Sequence, residues 1–232
     1  MKIVFLFICV LLFSCGPSGG SIANSETQGS SETMPSPTEI IAPPPEAGWA
    51  WYINEERGFA AQYPAKMHFV EITREASYSI DPCGESHMED AAGVVVNLIP
   101  EDFDANVVFF RCGDYSGGFI PYILIGAGKS GGMYPEDFLE DGALEGLGAF
   151  LDSSNAYMYD SFERTADVHG VWLGDNHFTI YEFNYEKDGM GFAQRQAFAV
   201  VGENLIVAAH IFMGDYEPED EDVFIRLLSS LS

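Results

Sequence analysis

The sequence predicts an α+β domain, an antiparallel sheet with helices packed against it, on three observations. Strand-sized runs of β-branched and aromatic residues follow one another with short turn signals between them. Two other segments carry helical spacing, and the composition turns abruptly aromatic at Trp49. Taken in order, residues 58–63 and 67–73 flank a Pro64-Ala65 break and read as a hairpin. Residues 93–99 (GVVVNLI) and 106–112 (NVVFFRC) read as strands on either side of a polar stretch, and 122–125 as a further short strand. Residues 135–151 space Phe138, Leu139, Ala143, Leu144, Leu147 and Leu151 helically. The Pro135-Glu136-Asp137 start places acids where the helix dipole is positive.

The second half continues the pattern. Residues 162–168, 176–186, 191–201 and 205–213 read as four consecutive strands. Their breaks fall at Gly174-Asp175, Lys187-Asp188-Gly189 and Gly202-Glu203-Asn204, the last two being short hairpin turns. A closing helix over 219–231 sets Val223, Phe224, Leu227, Leu228 and Leu231 on one face.

Upstream of this domain the chain is of another kind. Lys2 precedes an apolar run from Ile3 to Phe13, and Ser14 stands directly before Cys15. The run is too short to span a bilayer as a helix and has the size of a signal-peptide apolar region. It resembles a bacterial lipoprotein export signal, and that resemblance implies cleavage before Cys15 and acylation of its thiol. One fatty chain gives marginal membrane binding, whereas two or more, palmitate among them, give a stable anchor. Residues 1–14 are therefore expected to be a signal peptide and 15–48 a disordered Ser/Gly/Pro-rich tether, stiffened at Pro43-Pro44-Pro45. The folded domain is expected over 49–232, long enough to bury a core.

Hydrophobic residues at 47% and aromatics at 14% fit a packed domain. Against 36 Asp and Glu stand 10 Lys and Arg, a formal net charge of −26. That balance argues against nucleic acid and anionic lipid surfaces as partners, since both attract cationic patches. Cys9 and Cys15 belong to the signal, which leaves Cys83 and Cys112 in an oxidising compartment, where an even pair reads as a disulfide. It would close a loop of about 30 residues and contribute about 3–4 kcal/mol by chain entropy.

The aromatic opening with a Gly-Phe strand ending in Tyr-Pro (Trp51, Tyr52, Gly58, Phe59, Tyr63, Pro64) is similar to the opening of PsbP-like and Mog1-like domains. So is the final hairpin over 196–213 followed by a short helix ending Leu-Leu-Ser-Ser-Leu at Leu231. The resemblance implies an α/β/α sandwich around an antiparallel sheet, serving as a binding or assembly module without a shared catalytic motif.

Other motifs point to chemistry. Gly128-Lys129-Ser130 mimics the end of a phosphate-binding loop, but the glycine required five positions before Gly128 is Ile123. A flexible glycine loop is the simpler reading. Gly128-x-Ser130-x-Gly132 also mimics a nucleophile elbow, with His169, His177 and His210 downstream as bases. The late helix and the antiparallel sheet oppose it. Asp215, Glu217, Glu219, Asp220, Glu221 and Asp222 crowd carboxylates before the last helix. Hard cations take such oxygens, so a weak Ca²⁺ site is weighed there against a solvated helix cap, with Asp215, Glu217, Glu219, Asp220 and Asp222 as candidate ligands. No zinc-type histidine spacing occurs, so no other cofactor is expected. His87, in an irregular stretch near Cys83, and His68 complete the histidines. Trp49, Trp51, Trp172, Tyr181, Phe183 and Tyr185 are weighed as a ligand groove against a place in the core.

The expected function is a non-enzymatic, lipid-anchored cell-envelope protein that binds or assembles protein partners outside the cytoplasm. The rivals are a secreted serine-type hydrolase and an acidic Ca²⁺-binding surface protein.

Overall fold

The structure, a computed structural model, describes residues 43–72, 103–112, 121–132, 141–213 and 218–232. Among these residues the chain forms β1 (Trp49–Asn54), β2 (Phe59–Pro64), β3 (His68–Ile72), β4 (Phe103–Phe110) and β5 (Tyr122–Lys129). Helix α1 (Asp141–Met158) is followed by β6 (Ser161–Arg164), β7 (His169–Leu173), β8 (Asn176–Lys187), β9 (Met190–Val201), β10 (Asn204–Phe212) and α2 (Pro218–Ser229). The main sheet runs β3-β4-β5-β10-β9-β8-β6, with β7 also on β8, and every pairing in it is antiparallel. Strands β1 and β2 form a separate two-stranded sheet.

The long strands follow from turn chemistry. Lys187 pairs with Met190 across Asp188 (φ 53°) and Gly189 (φ 76°), both left-handed, the backbone that a tight two-residue hairpin requires. Alternation then divides the side chains between two faces. Ile180, Ala197, Ala199, Ile206 and Ala208 meet Val223, Phe224, Leu227 and Leu228 of α2, together with Tyr52 and Phe59 from the small sheet. On the opposite face Tyr181, Phe183 and Tyr185 meet Leu147 and Leu151 of α1. The large apolar side chains fully buried here, such as Ile206, Phe224 and Leu227, each contribute about 1.5–3 kcal/mol. Helices on opposite faces make this the α/β/α arrangement of an α+β domain.

Several expectations change. The hairpin of 58–63 with 67–73 does not form: β2 pairs with β1, while β3 crosses to the edge of the main sheet beside β4. The aromatic segment from Trp49 supplies β2 with a nearer partner. Their turn closes through Gly58 N donating to Asn54 O (2.8 Å) and Arg57 N to Asn54 Oδ1 (2.8 Å). Pro64 has no N–H to extend that pairing. The strand expected over 162–168 is realised only as far as Arg164, in β6, with Thr165 N still donating to Glu182 O at 3.0 Å, and an unexpected strand, β7, follows it along β8. The described part of α1 runs on to Met158, beyond the expected end at 151. Residues 93–99 and the expected helix start over 135–140 lie outside the described residues.

α1 is fastened by a polar cluster as well as by its leucines. Tyr181 Oη donates to Asp152 Oδ1 (2.9 Å) and accepts from Asn155 Nδ2 (3.1 Å), and Asn155 is buried. Burial, above all, holds the Tyr181 phenol well above its usual range. Tyr181→Phe leaves Asn155 with a lost partner at constant volume, so a loss of about 1–2 kcal/mol is expected in urea unfolding. An unchanged midpoint would show that water replaces the hydroxyl.

Candidate functional site

The Gly126–Lys129 stretch is strand, not the flexible loop expected from its glycines. It forms the end of β5, paired with β10 on one side and β4 on the other. Glycine suits this position because it adds no bulk between two close neighbours. Ser130 follows the strand, its N–H donating to Glu203 O at 2.9 Å, and Gly131 (φ 63°) and Gly132 (φ 87°) turn the chain away.

No described histidine serves Ser130 as a base. His210 pairs with Ile123 at the far end of β5, about 20 Å along the strand from Lys129. His177 lies on β8, separated from β5 by β9 and β10 and so by about 14 Å. His169 sits on the far strand β7, its Nδ1 within 3.0 Å of Asp167 O. His68 stacks on Phe110. His87 lies outside the described residues.

Of the acidic segment, Asp215 and Glu217 lie outside the described residues. Glu219, Asp220 and Glu221 occupy the first turn of α2 and complement its dipole. Two of them face arginines. Asp220 lies 4.0 Å from Arg111, and Glu221 lies 2.9 Å from Arg195, which also meets Glu182 at 2.6 Å. No group of three His, Cys, Asp or Glu set to hold a metal occurs among the described residues. Asp222 follows on the same helix.

His210 lies in this region, 2% exposed, its ring tilted over Phe224 at 5.6 Å. Burial first, and then the Arg195 charge beside it, lower its pKa to about 4, so it is neutral at pH 7. Cys112 lies just beyond β4. Cys83 and Cys15 lie outside the described residues.

The aromatic candidates part company. Tyr181, Phe183 and Tyr185 are core under α1. Trp49 carries the Arg226 guanidinium 3.9 Å above its ring, and Trp51 donates to Pro43 O at 2.8 Å. Trp172 is 63% exposed and edges against His177.

A concavity lies elsewhere among the described residues, at the β6–β8–β9 end of the sheet. It encloses about 710 Å³ and is lined by Ser161, Glu163, Asn184, Glu186, Gly191 and Ala193, with Phe162, Tyr185 and Phe192 beneath. Cross-strand partners share a face, and the Glu182–Arg195–Glu221 contacts show that face to be the α2 side. Its alternates Asn184 and Glu186 on β8, and their partners Glu163 and Ser161 on β6, therefore line the same side beyond the end of α2. Small residues, Gly191 and Ala193, leave the floor low. None of these polar positions was singled out from the sequence. The polar–aromatic alternation Asn184-Tyr185-Glu186 carried the signal, since it is what a strand shows where one face stays uncovered.

No family model and no curated protein matches the chain. Among solved structures, it is similar to the solution structure of cyanobacterial PsbP (CyanoP) from Synechocystis sp. PCC 6803. That match has a TM-score of 0.52 at 12% identity and covers 85% of this chain and 99% of that one. LpqN, described as involved in cell envelope biogenesis of Mycobacterium tuberculosis, aligns with a TM-score of 0.46 at 12% identity, over 75% of this chain and 82% of its own. The fold is PsbP-like. No described helix is long and apolar enough to cross a membrane.

Proposed function

We propose that this is a lipid-anchored cell-envelope protein whose PsbP-like domain acts as a non-enzymatic binding or assembly module. The observation that carries the reading is Cys15, set behind a signal-sized apolar run and ahead of a Ser/Gly/Pro-rich tether. The domain adds indirect support. Its described histidines stand far from Ser130, Glu182 and Glu221 pair with Arg195, and the concavity at the β6–β8–β9 end is an open trough. Such a surface suits a protein partner better than a small molecule, which is usually enclosed by apolar walls. The net charge of −26 disfavours nucleic acid.

Cys15→Ser tests the anchor. The full chain is expected in the membrane fraction, with acyl chains on the first residue of the mature product. The variant is expected to lose nearly all membrane association, because two or more chains supply the hold. A mature wild-type product whose intact mass shows no acyl adduct sinks the reading. The same compartment accommodates a Cys83–Cys112 disulfide, a proposal that rests on the even pair of cysteines beyond the signal. Thiol titration of the denatured, unreduced mature protein is then expected to find neither sulfur free, and two free thiols would refute the pairing.

A further inference from the structure

The trough at the β6–β8–β9 end borders the last strand of the main sheet, because the strand order ends at β6. Thr165 N donates to Glu182 O, and an antiparallel ladder alternates. The amides of Ser161 and Glu163 therefore turn toward β8, and those of Phe162 and Arg164 turn outward. Beside this edge, which no other described strand covers, stand Glu163 on β6 and Glu186 on β8, with the Asn184 amide between them, all exposed on the α2 side. The edge offers backbone groups to an added strand, and the carboxylates offer negative charge to every second side chain of it.

We propose that the β6 edge and its trough dock an extended, Lys/Arg-bearing segment of a partner protein, added as a further strand to the sheet. Charge selects the occupant. A second copy of a chain at −26 is repelled, as is any anionic ligand, whereas a cationic segment meets Glu163 and Glu186. Shape agrees, since β6 offers a four-residue edge and Glu163 stands one strand spacing, about 4.8 Å, from an added strand, with Glu186 one spacing further in. The inference deepens the binding-module reading and rests on it. Failure of the anchor appears separately, in the Cys15→Ser fractionation.

The test uses the full mature chain in detergent micelles and a fluorescein-labelled peptide alternating Lys and Thr, with a Glu-for-Lys peptide as control. Anisotropy is expected to report binding of the Lys peptide alone. The Glu163→Gln/Glu186→Gln pair is expected to weaken it about tenfold, the scale of losing charge-assisted contacts. Glu55→Gln/Glu56→Gln, an equal change of net charge on the exposed β1–β2 turn, is expected to leave affinity unchanged. In the complex, hydrogen exchange at the Phe162 and Arg164 amides is expected to slow. Absence of binding, equal weakening by both pairs, or unprotected β6 amides each overturns the proposal, the last two because they indicate attraction to overall charge.

Discussion

Gly174→Ala is expected to lower stability by about 3 kcal/mol, read as a fall in the urea midpoint at constant m-value. Two penalties add at this one position. Gly174 holds φ +61° in the tight turn between β7 and β8, a conformation that costs a residue with a Cβ about 1–2 kcal/mol. A Cβ there would also collide with the Ser229 carbonyl oxygen. That oxygen is backbone at the end of α2, so the collision is relieved only by moving the helix end or the turn. Either movement disturbs the Asn176 Nδ2 to Leu231 O bond of 2.7 Å and the seating of Leu173 against the α2 core. Gly202→Ala separates the two penalties. Gly202 has φ +60° in the β9–β10 turn, but a Cβ there meets nothing within 4 Å. The Gly202 variant is expected to lose about 1 kcal/mol, the conformational part alone. Equal losses at the two glycines would mean that α2 is not held against the turn.

The comparison of those glycines also marks what the sequence could and could not disclose. Both turns were readable as Gly-containing breaks between apolar runs, because turn chemistry is local. That Gly174 touches the end of α2, 55 residues on from its neighbour Asn176 to Leu231, is a tertiary fact. The same division runs through the fold. Strands β8, β9 and β10 and the apolar face of α2 were legible, since period and turn residues coincide there. β7 was missed because His169–Leu173 mixes Gly170 and the exposed Trp172 into a short run that shares β8 with β6. The pairing of β2 was misassigned because sequence order favours the next strand, whereas Trp49–Asn54 competes for it from the other side. Gly126–Lys129 looked like a loop because two glycines and a lysine carry no strand propensity. Pairing on both sides overrides that.

The candidate surface was harder to read than the fold. Attention went to dense motifs, namely Ser130 among glycines and the carboxylates before α2. The structure places Ser130 far from the described bases and turns Asp220 and Glu221 toward Arg111 and Arg195. Glu163, Asn184 and Glu186 are scattered over two strands, and only the β6–β8 register brings them to one trough. Proximity of that kind is set by pairing, not by spacing along the chain.

Acidification is expected to remove about 3 kcal/mol through His210 alone. Its ring is buried against Phe224 and Phe212, with Arg195 at the paired position on β9 and Glu182, Glu221, Asp220 and Arg111 in the surrounding ion pairs. Burial and the Arg195 charge oppose a second positive charge, so the folded-state pKa is about 4 against an ordinary 6.5. Between those values the unfolded chain binds a proton that the folded chain refuses. Stability from this group is therefore complete above about pH 6.5 and falls by about 1.4 kcal/mol per unit as pH drops toward 4. Below that the two states bind protons alike and the slope vanishes. The carboxylates paired with Arg195 and Arg111 are shared by wild type and variant, so they cancel in a difference. His177, whose pKa is also lowered by desolvation, cancels in the same way. His210→Gln keeps a neutral polar side chain of similar size and removes the titration. Its stability deficit relative to wild type, measured in urea at pH 7, is expected to shrink by about 3 kcal/mol at pH 4. A deficit that stays constant with pH would mean that the imidazole takes up its proton in the folded chain at the same pH as in the unfolded one, with Glu182 and Glu221 neutralising Arg195 well enough to tolerate the second charge.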